Sequence, residues 1–337
     1  VQSYSCWIAQ TVLDVCDVLG NETLPGELLQ PLMDFYEQRE KTHLHACGLF
    51  WSDDDRDAME DSISGKGLRP TLNSYMYANA RAIAMIARKN GREETARLYE
   101  KKADGLRKKI LDYLWDPKDR FFKVIPLDSV RDEWKCHSFE DVPRERNAIE
   151  EIGLIPWQFH LPDEAHAAAF ERLKDEKCLK APYGPTTADQ SHPRFMYPVD
   201  HECLWNGPVW PFATAQTLTA AARLLREYPP TDAFTQEDYW TLLRHYARSH
   251  RQRGADGRVR PWIDEDMDPY TGDWTARSQL KADHWNPQRG GYERGKDYNH
   301  STFCDLVLDG LFGIGADCEG NLTARPMVPK NWPYFRV

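Results

Sequence analysis

The chain has 337 residues, with 43 Lys and Arg against 53 Asp and Glu, a formal net charge of −10. That length can bury a large core, and the acidic balance, with no sustained basic run, excludes nucleic acid or an anionic membrane surface as the main partner. No apolar run approaches the roughly 20 residues that span a bilayer. The sequence opens inside a helical pattern at Val1-Gln-Ser-Tyr and stops in what reads as a strand at Trp332–Val337. Residues 1–337 are therefore expected to form a single domain of a longer chain, so missing targeting signals say little about compartment; a secreted or periplasmic location stays open.

Helical periodicity dominates, and the helices come in pairs. Residues 5–19 and 24–40 form the first, joined by a turn at Gly20-Asn-Glu-Thr. Residues 71–89 and 92–114 form the clearest: Ala96, Tyr99, Ala103, Leu106 and Ile110 recur at three and four as one apolar stripe. Asn90-Gly91 supplies the left-handed cap that reverses the chain between them. A weaker pair covers 144–152 and 163–177. A helix over 211–227 turns through Tyr228-Pro-Pro into one over 235–252, where Thr235 and Asp238 are spaced as a capping box. Residues 302–313 start a last helix.

Loops within pairs are short, whereas those between pairs, about 47–70, 115–143, 178–210 and 253–301, are long. Helix hairpins with long loops gathered at one end describe an all-α fold, an (α/α)6 toroid with minor β-strands at one mouth. A solenoid would show a regular repeat and small loops, and neither is present. The long loops hold most of the 12 Trp, an excess suited to stacking on sugar rings.

Four loop motifs carry the chemistry. The first, Trp51-Ser-Asp-Asp-Asp-Arg-Asp-Ala-Met-Glu-Asp61, packs six carboxylates into nine residues. Its alternation resembles a calcium loop, but Ala58 replaces the required Gly and Ser64 the required Glu. An acidic loop is often only a solvated surface. Here Trp51, Met59 and Ile63 interleave with the acids and would press some of them into low dielectric, where a carboxylic acid stays protonated. Arg56 could hold one Asp ionised. The second acidic motif, Trp262-Ile-Asp-Glu-Asp-Met-Asp-Pro-Tyr-Thr-Gly272, carries a tight turn at Pro269 and Gly272. Two acidic, Trp-bearing loops expected at one mouth suggest a general acid and a general base across a pocket. The third, His201-Glu-Cys-Leu-Trp-Asn-Gly-Pro-Val-Trp-Pro-Phe212, fixes a sharp turn at a helix entrance and leaves Trp205, Asn206 and Trp210 there. The fourth, Lys296-Asp-Tyr-Asn-His-Ser-Thr-Phe303, offers hydroxyl-bonding side chains around His300.

Eight Cys occur with no C-x-x-C pair, which fits buried thiols better than a zinc site or a disulfide framework. Asn21, Asn299 and Asn321 each head a glycosylation sequon, a pattern common by chance.

Taken together, GLFWSDDDRDAMEDS with RPTLNSYMYA, then WNGPVWPF, IDEDMDPYTG and YNHSTF, resemble the catalytic domain of (α/α)6-barrel glycoside hydrolases. The relatives are glycoside hydrolase family 63, mannosylglycerate hydrolases and, more distantly, trehalases. The resemblance spans nearly the whole chain, with its motifs in order, in the wording of a divergent branch. In that clan the acid sits in a segment like S-G-M-D-N-S, which laid on Asp57–Ser62 puts Glu60 at the acid position. The base precedes a turn of the form E-x-x-x-P-x-T-G, which selects Glu265. Asp57 and Asp61 are rival acids, and Glu202 and Asp264 rival bases. The resemblance implies exo-acting, inverting hydrolysis of a carbohydrate terminus, α-glucosidase-like, without a cofactor or metal. It also implies an N-terminal β-sandwich elsewhere in the full chain. Trp51, Trp157, Trp205 and Trp210 are expected to wall the pocket, with Asp55, Arg56, His201, Asn206, Tyr298, Asn299 and His300 on sugar hydroxyls. Within hydrolases an L-arabinofuranosidase or rhamnosidase fits the same motifs. A sugar epimerase using His201 and His300, or a non-catalytic glycan-binding protein, are alternatives of other classes.

Overall fold

The computed structural model describes residues 4–129, 138–198, 204–254, 256–276, 296–297, 302–316 and 321–334. Two compact units are present, Val1–Met59 with Ser64–Ala148, and Glu60–Ile63 with Ile149–Val337.

The first unit is built on helices α1 (Ile8–Leu19), α2 (Leu24–His43), α3 (Pro70–Lys89) and α4 (Glu93–Tyr113). α1 ends where Gly20, at φ +62°, takes the left-handed conformation and its N–H closes on the Asp17 carbonyl. α3 opens on Pro70, whose missing N–H costs nothing at a first helical position. It packs against α1, α2 and α4. Being enclosed, it is apolar or small on nearly every face, with Ala78, Ala80, Ala82, Ile83 and Ile86 all buried. The expected stripe of α4, Ala96, Tyr99, Ala103, Leu106 and Ile110, is wholly buried, and each large member contributes about 1.5–3 kcal/mol. The reversal between α3 and α4 is the one the sequence predicts: Gly91 sits at φ +69° and the Arg92 N–H reaches the Ala87 carbonyl at 2.9 Å. A small sheet pairs Trp51–Ser52 with Gly67–Leu68, and that with Ile125–Pro126. This hairpin closes the acidic loop at its base.

In the second unit, α5 (Pro211–Glu227) packs on α6 (Gln236–Ser249) and on a 3-10 helix over Glu151–Phe159. The capping box at α6 is present: the Asp238 N–H donates to Thr235 Oγ1 at 3.2 Å, and the Thr235 N–H to Asp238 Oδ2 at 2.8 Å. The pair expected over 144–152 and 163–177 differs from its prediction. Residues 143–146 form a turn, and the helices run over Glu151–Phe159 and Glu164–Leu173 as 3-10 rather than α. Pro156 lies inside the first and can donate no bond. The last helix starts as an α-helical turn, Thr302–Asp305, and widens to a π-helix over Leu306–Leu311. There the Phe312 N–H skips back five residues to the Val307 carbonyl. Two-residue strands pair Lys180–Ala181 with Gly184–Pro185, and a hairpin pairs Arg251–Arg253 with Val259–Pro261.

The described residues are thus rich in helix hairpins, with small sheets in the long loops. No described helix is long and apolar enough to cross a membrane. Among the described residues Cys16, Cys47 and Cys178 are buried free thiols, whereas Cys6 is half-buried and Cys304 exposed.

Candidate active site

The acidic loop of the first unit sorts its carboxylates by environment. A single 3-10 turn spans Asp54–Asp57 and buries Asp57 alone. Asp53 pairs with Lys66 at 3.0 Å, and that ammonium also lies over the Trp51 ring, 4.3 Å from its centroid. Asp55 pairs with Arg56 at 3.4 Å; these surface pairs contribute little. Asp57 is different. Its side chain is fully buried against Arg69, which donates from Nε to Oδ2 at 2.7 Å and from Nη2 to Oδ1 at 3.2 Å. The Thr71 hydroxyl donates to Oδ2 as well. Arg69 reaches on to the Gly65 carbonyl at 2.6 Å and the Met59 sulfur at 3.5 Å. Asp57 therefore anchors the loop: both oxygens are engaged by donors in a fork geometry.

The backbone then turns twice through the left-handed region, at Ala58 (φ +61°) and Asp61 (φ +55°). Glu60 stands between them, half-buried, in the segment belonging to the second unit. Within that unit Trp205 meets Glu60 at two points. The Trp205 backbone N–H donates to the Glu60 carbonyl, and its indole N–H to Glu60 Oε2, both at 3.1 Å. The Trp205 and Trp210 rings stack, 4.3 Å between centroids and 17° from parallel. The turn between them is locked by the buried Thr187: the Gly207 N–H donates to its hydroxyl and that hydroxyl donates to the Pro208 carbonyl, each at 3.0 Å. Asn206 spends its amide N–H on the Tyr197 carbonyl at 2.8 Å. A Cβ at Gly207 would lie 2.6 Å from Met196 Cγ and 2.8 Å from the Phe195 ring, so the close fit there needs glycine.

Val209 and Met267 exchange both backbone bonds, at 2.9 and 3.0 Å, as an antiparallel bridge. This ties the Trp-bearing turn to the second acidic loop. The expected turn is present there: Asp268 Oδ1 accepts from the Tyr270 and Thr271 N–H groups, both at 2.8 Å, and Gly272 takes φ +74°. Of three successive carboxylates, Asp264 and Asp266 are wholly buried and Glu265 is half-exposed. Asp264 accepts from the Trp262 indole at 3.3 Å and the Glu265 N–H at 3.0 Å. Asp266 accepts from the Thr275 hydroxyl. Burial pushes its carboxyl up to about 7, Thr275 pulls it partly back, and the charges of Glu265 and Asp264 add to the rise. Lys296 lies over the Trp262 ring at 4.9 Å.

The expected residues divide between the two units. Glu60, Trp205, Trp210 and the loop of Glu265 are linked in the second unit, while Trp51, Asp55, Arg56 and Asp57 belong to the first. His201, Glu202, Tyr298, Asn299 and His300 lie outside the described residues. One expectation changes: Trp157, Trp205 and Trp210 are 0, 2 and 1 % exposed and present no open ring face for a sugar. Trp157 packs edge-on against Phe170 at 5.1 Å, a core contact. Sequence reasoning missed Arg69, Thr71, Thr187, Thr275 and Glu151. The last is fully buried on the Thr217 hydroxyl at 2.8 Å, and burial drives its carboxyl well above the usual range. Among the described residues no cluster of three His, Cys, Asp or Glu could hold a metal.

Comparison with curated proteins finds no match. Among solved structures the chain is similar to one named a sialidase, at 36% identity with a TM-score of 0.83, over 98% of this chain and 28% of that one. It therefore spans little more than a quarter of that protein's length. It is also similar to an uncharacterized conserved protein from Thermus thermophilus (15% identity, TM-score 0.59, 82% of this chain and 76% of that one). A GH63 mannosylglycerate hydrolase from the same organism, solved in complex with glucose, matches at 15% identity and TM-score 0.57, over 83% of this chain and 75% of that one. At 15% identity these two speak for the fold. Over residues 1–301 the sequence matches the family described as mannosylglycerate hydrolase MGH1-like glycoside hydrolase domain, and to that family the chain belongs.

Proposed function

We propose that this domain is an (α/α)6 toroid that hydrolyses a terminal glycosidic bond with inversion, α-glucosidase-like in substrate. Glu60 delivers a proton to the glycosidic oxygen as its bond to the anomeric carbon breaks, and the bonding pair leaves with that oxygen. Glu265 accepts a proton from the water that attacks the opposite face. The observation that carries this reading is a chain of contacts inside the second unit. Glu60 is bonded to Trp205, Trp205 stacks on Trp210, and Val209 beside it is paired with Met267, two residues from Glu265. Three motifs far apart in sequence thereby share one neighbourhood. Of the rival carboxylates, Asp57 and Asp264 fit supporting roles. Asp57 has both oxygens engaged by Arg69 and Thr71, and Asp264 and Asp266 are wholly buried, leaving Glu265 the reachable member of its cluster. The buried Trp205 and Trp210 act as ring supports behind Glu60, and Tyr298, Asn299 and His300 are the sugar-binding candidates of that unit.

One protein similar to this chain bears the name sialidase. The test is a panel of mannosylglycerate, 4-nitrophenyl α-D-glucoside, an α-L-arabinofuranoside, an α-L-rhamnoside and a sialoside, with the product anomer followed by NMR. Glu60→Gln and Glu265→Gln should each lower kcat by about a thousandfold or more while sugar binding persists. Unchanged turnover in either variant sinks that residue's assignment. A carboxyl separation of about 6.5–9.5 Å with an inverted product supports the mechanism, whereas about 5–5.5 Å with retention replaces it.

A further inference from the structure

The Trp205 indole can donate a hydrogen bond but cannot accept one, and its direction is fixed. The backbone is pinned to the Glu60 carbonyl, and the ring is 2 % exposed and stacked on Trp210 at 4.3 Å. Trp210 in turn holds the entrance of α5, its carbonyl accepting from the Thr214 N–H at 2.9 Å. The indole N–H therefore points at Glu60 Oε2, 3.1 Å away, without freedom to leave.

We propose that Trp205 is the positioning residue of the general acid: its indole N–H holds the Glu60 carboxyl at Oε2. This rests on the reading of Glu60 as that acid. On transfer the carboxyl O–H bond breaks, the proton joins the departing oxygen, and the negative charge stays on the carboxylate. The same indole bond then becomes charge-assisted and strengthens. Trp205 thus serves the reaction as a donor to the acid rather than as a platform for sugar.

Trp205→Phe keeps the ring and its stacking but deletes the donor, and Trp205→His restores a ring N–H. With mannosylglycerate and 4-nitrophenyl α-D-glucoside as probes, kcat in Trp205→Phe should fall about 10- to 30-fold with KM within about twofold. Trp205→His should recover part of the loss. Independently of turnover and of how these variants fold, the Trp205 indole N–H resonance of the otherwise unaltered domain should shift when Glu60→Gln replaces the carboxylate. Ring packing alone does not produce that signature. If Glu60→Gln keeps full turnover, the reading of the acid falls and this proposal with it. If Glu60→Gln is inactive while Trp205→Phe turns over normally, or the indole resonance ignores Glu60→Gln, only the proposal is overturned.

Discussion

Asp57 and Asp266 are both buried carboxyls in acidic, Trp-bearing loops, yet their surroundings treat them in opposite ways. Asp57 faces the fork of Arg69 and the hydroxyl of Thr71, so its charge is matched inside the first unit. Asp266 has a threonine hydroxyl and two neighbouring carboxylates, which pushes its carboxyl up to about 7. Burial sets how much an unmatched charge would cost, and the partner decides whether the group meets that cost with a cation or with a proton. Crowding acids in a loop is therefore not one device but two. One builds an anchor, and the other keeps one carboxyl partly protonated near neutral pH beside Glu265.

The largest effect that could break this contrast comes from removing the cation. Arg69→Met leaves Asp57 buried and uncompensated and should cost about 3–5 kcal/mol, read as a lowered urea midpoint. Adding Asp57→Asn to Arg69→Met should recover much of the loss, because neither charge then remains. If the single variant is as stable as the parent, the anchor is not what holds this loop.

The second test exploits pH. The carboxyl of Asp266 rises from 3.8 to about 7 on folding, so between those values the folded state holds a proton that the unfolded chain has released. Stability from this group is fully present below about pH 4, is lost as pH climbs toward 7, and is level above it. Asp266→Asn should flatten that decline and be the more stable protein at pH 8, by at most about 4 kcal/mol. Parallel urea midpoints at pH 5 and pH 8 check it, and equal pH slopes in the two proteins would mean that Asp266 is solvated.

The smallest effect sharpens the comparison from outside. Lys66 and Asp53 are each close to half exposed, and Lys66→Ala should move stability by less than about 1 kcal/mol, cation–π contact with Trp51 included. A larger loss in chemical denaturation would show that exposed members of the loop matter as much as Asp57.

What the sequence discloses and what it withholds follow the same physics. The α3–α4 hairpin is readable because its stripe and its Asn90-Gly91 reversal are local. So are the capping box at Thr235 and the turn at Gly272. The 3-10 helix over Glu151–Phe159 is not readable as such: its apolar spacing suits an α-helix, while Gly153 and Pro156 weaken one. Within the site, the Gly207-Pro208 turn is legible, but its lock, Thr187, is twenty residues away from Gly207. The bond between Trp205 and Glu60 spans 145 positions and leaves no local mark at all. A ring-rich motif reads as sugar-stacking surface until packing shows its faces covered, because composition reports residue type and not accessibility.

The left-handed residues on either side of Glu60 carry one more consequence. Ala58 and Asp61 adopt positive φ, a conformation that favours glycine and tolerates asparagine and aspartate, while branched side chains strain it. The related segment S-G-M-D-N-S has Gly and Asn at those two places. Its wording is thus as much a statement about backbone shape as about chemistry. Across distant kin, substitution at positions 58 and 61 should stay within Gly, Ala, Asn and Asp even where the acid itself changes length.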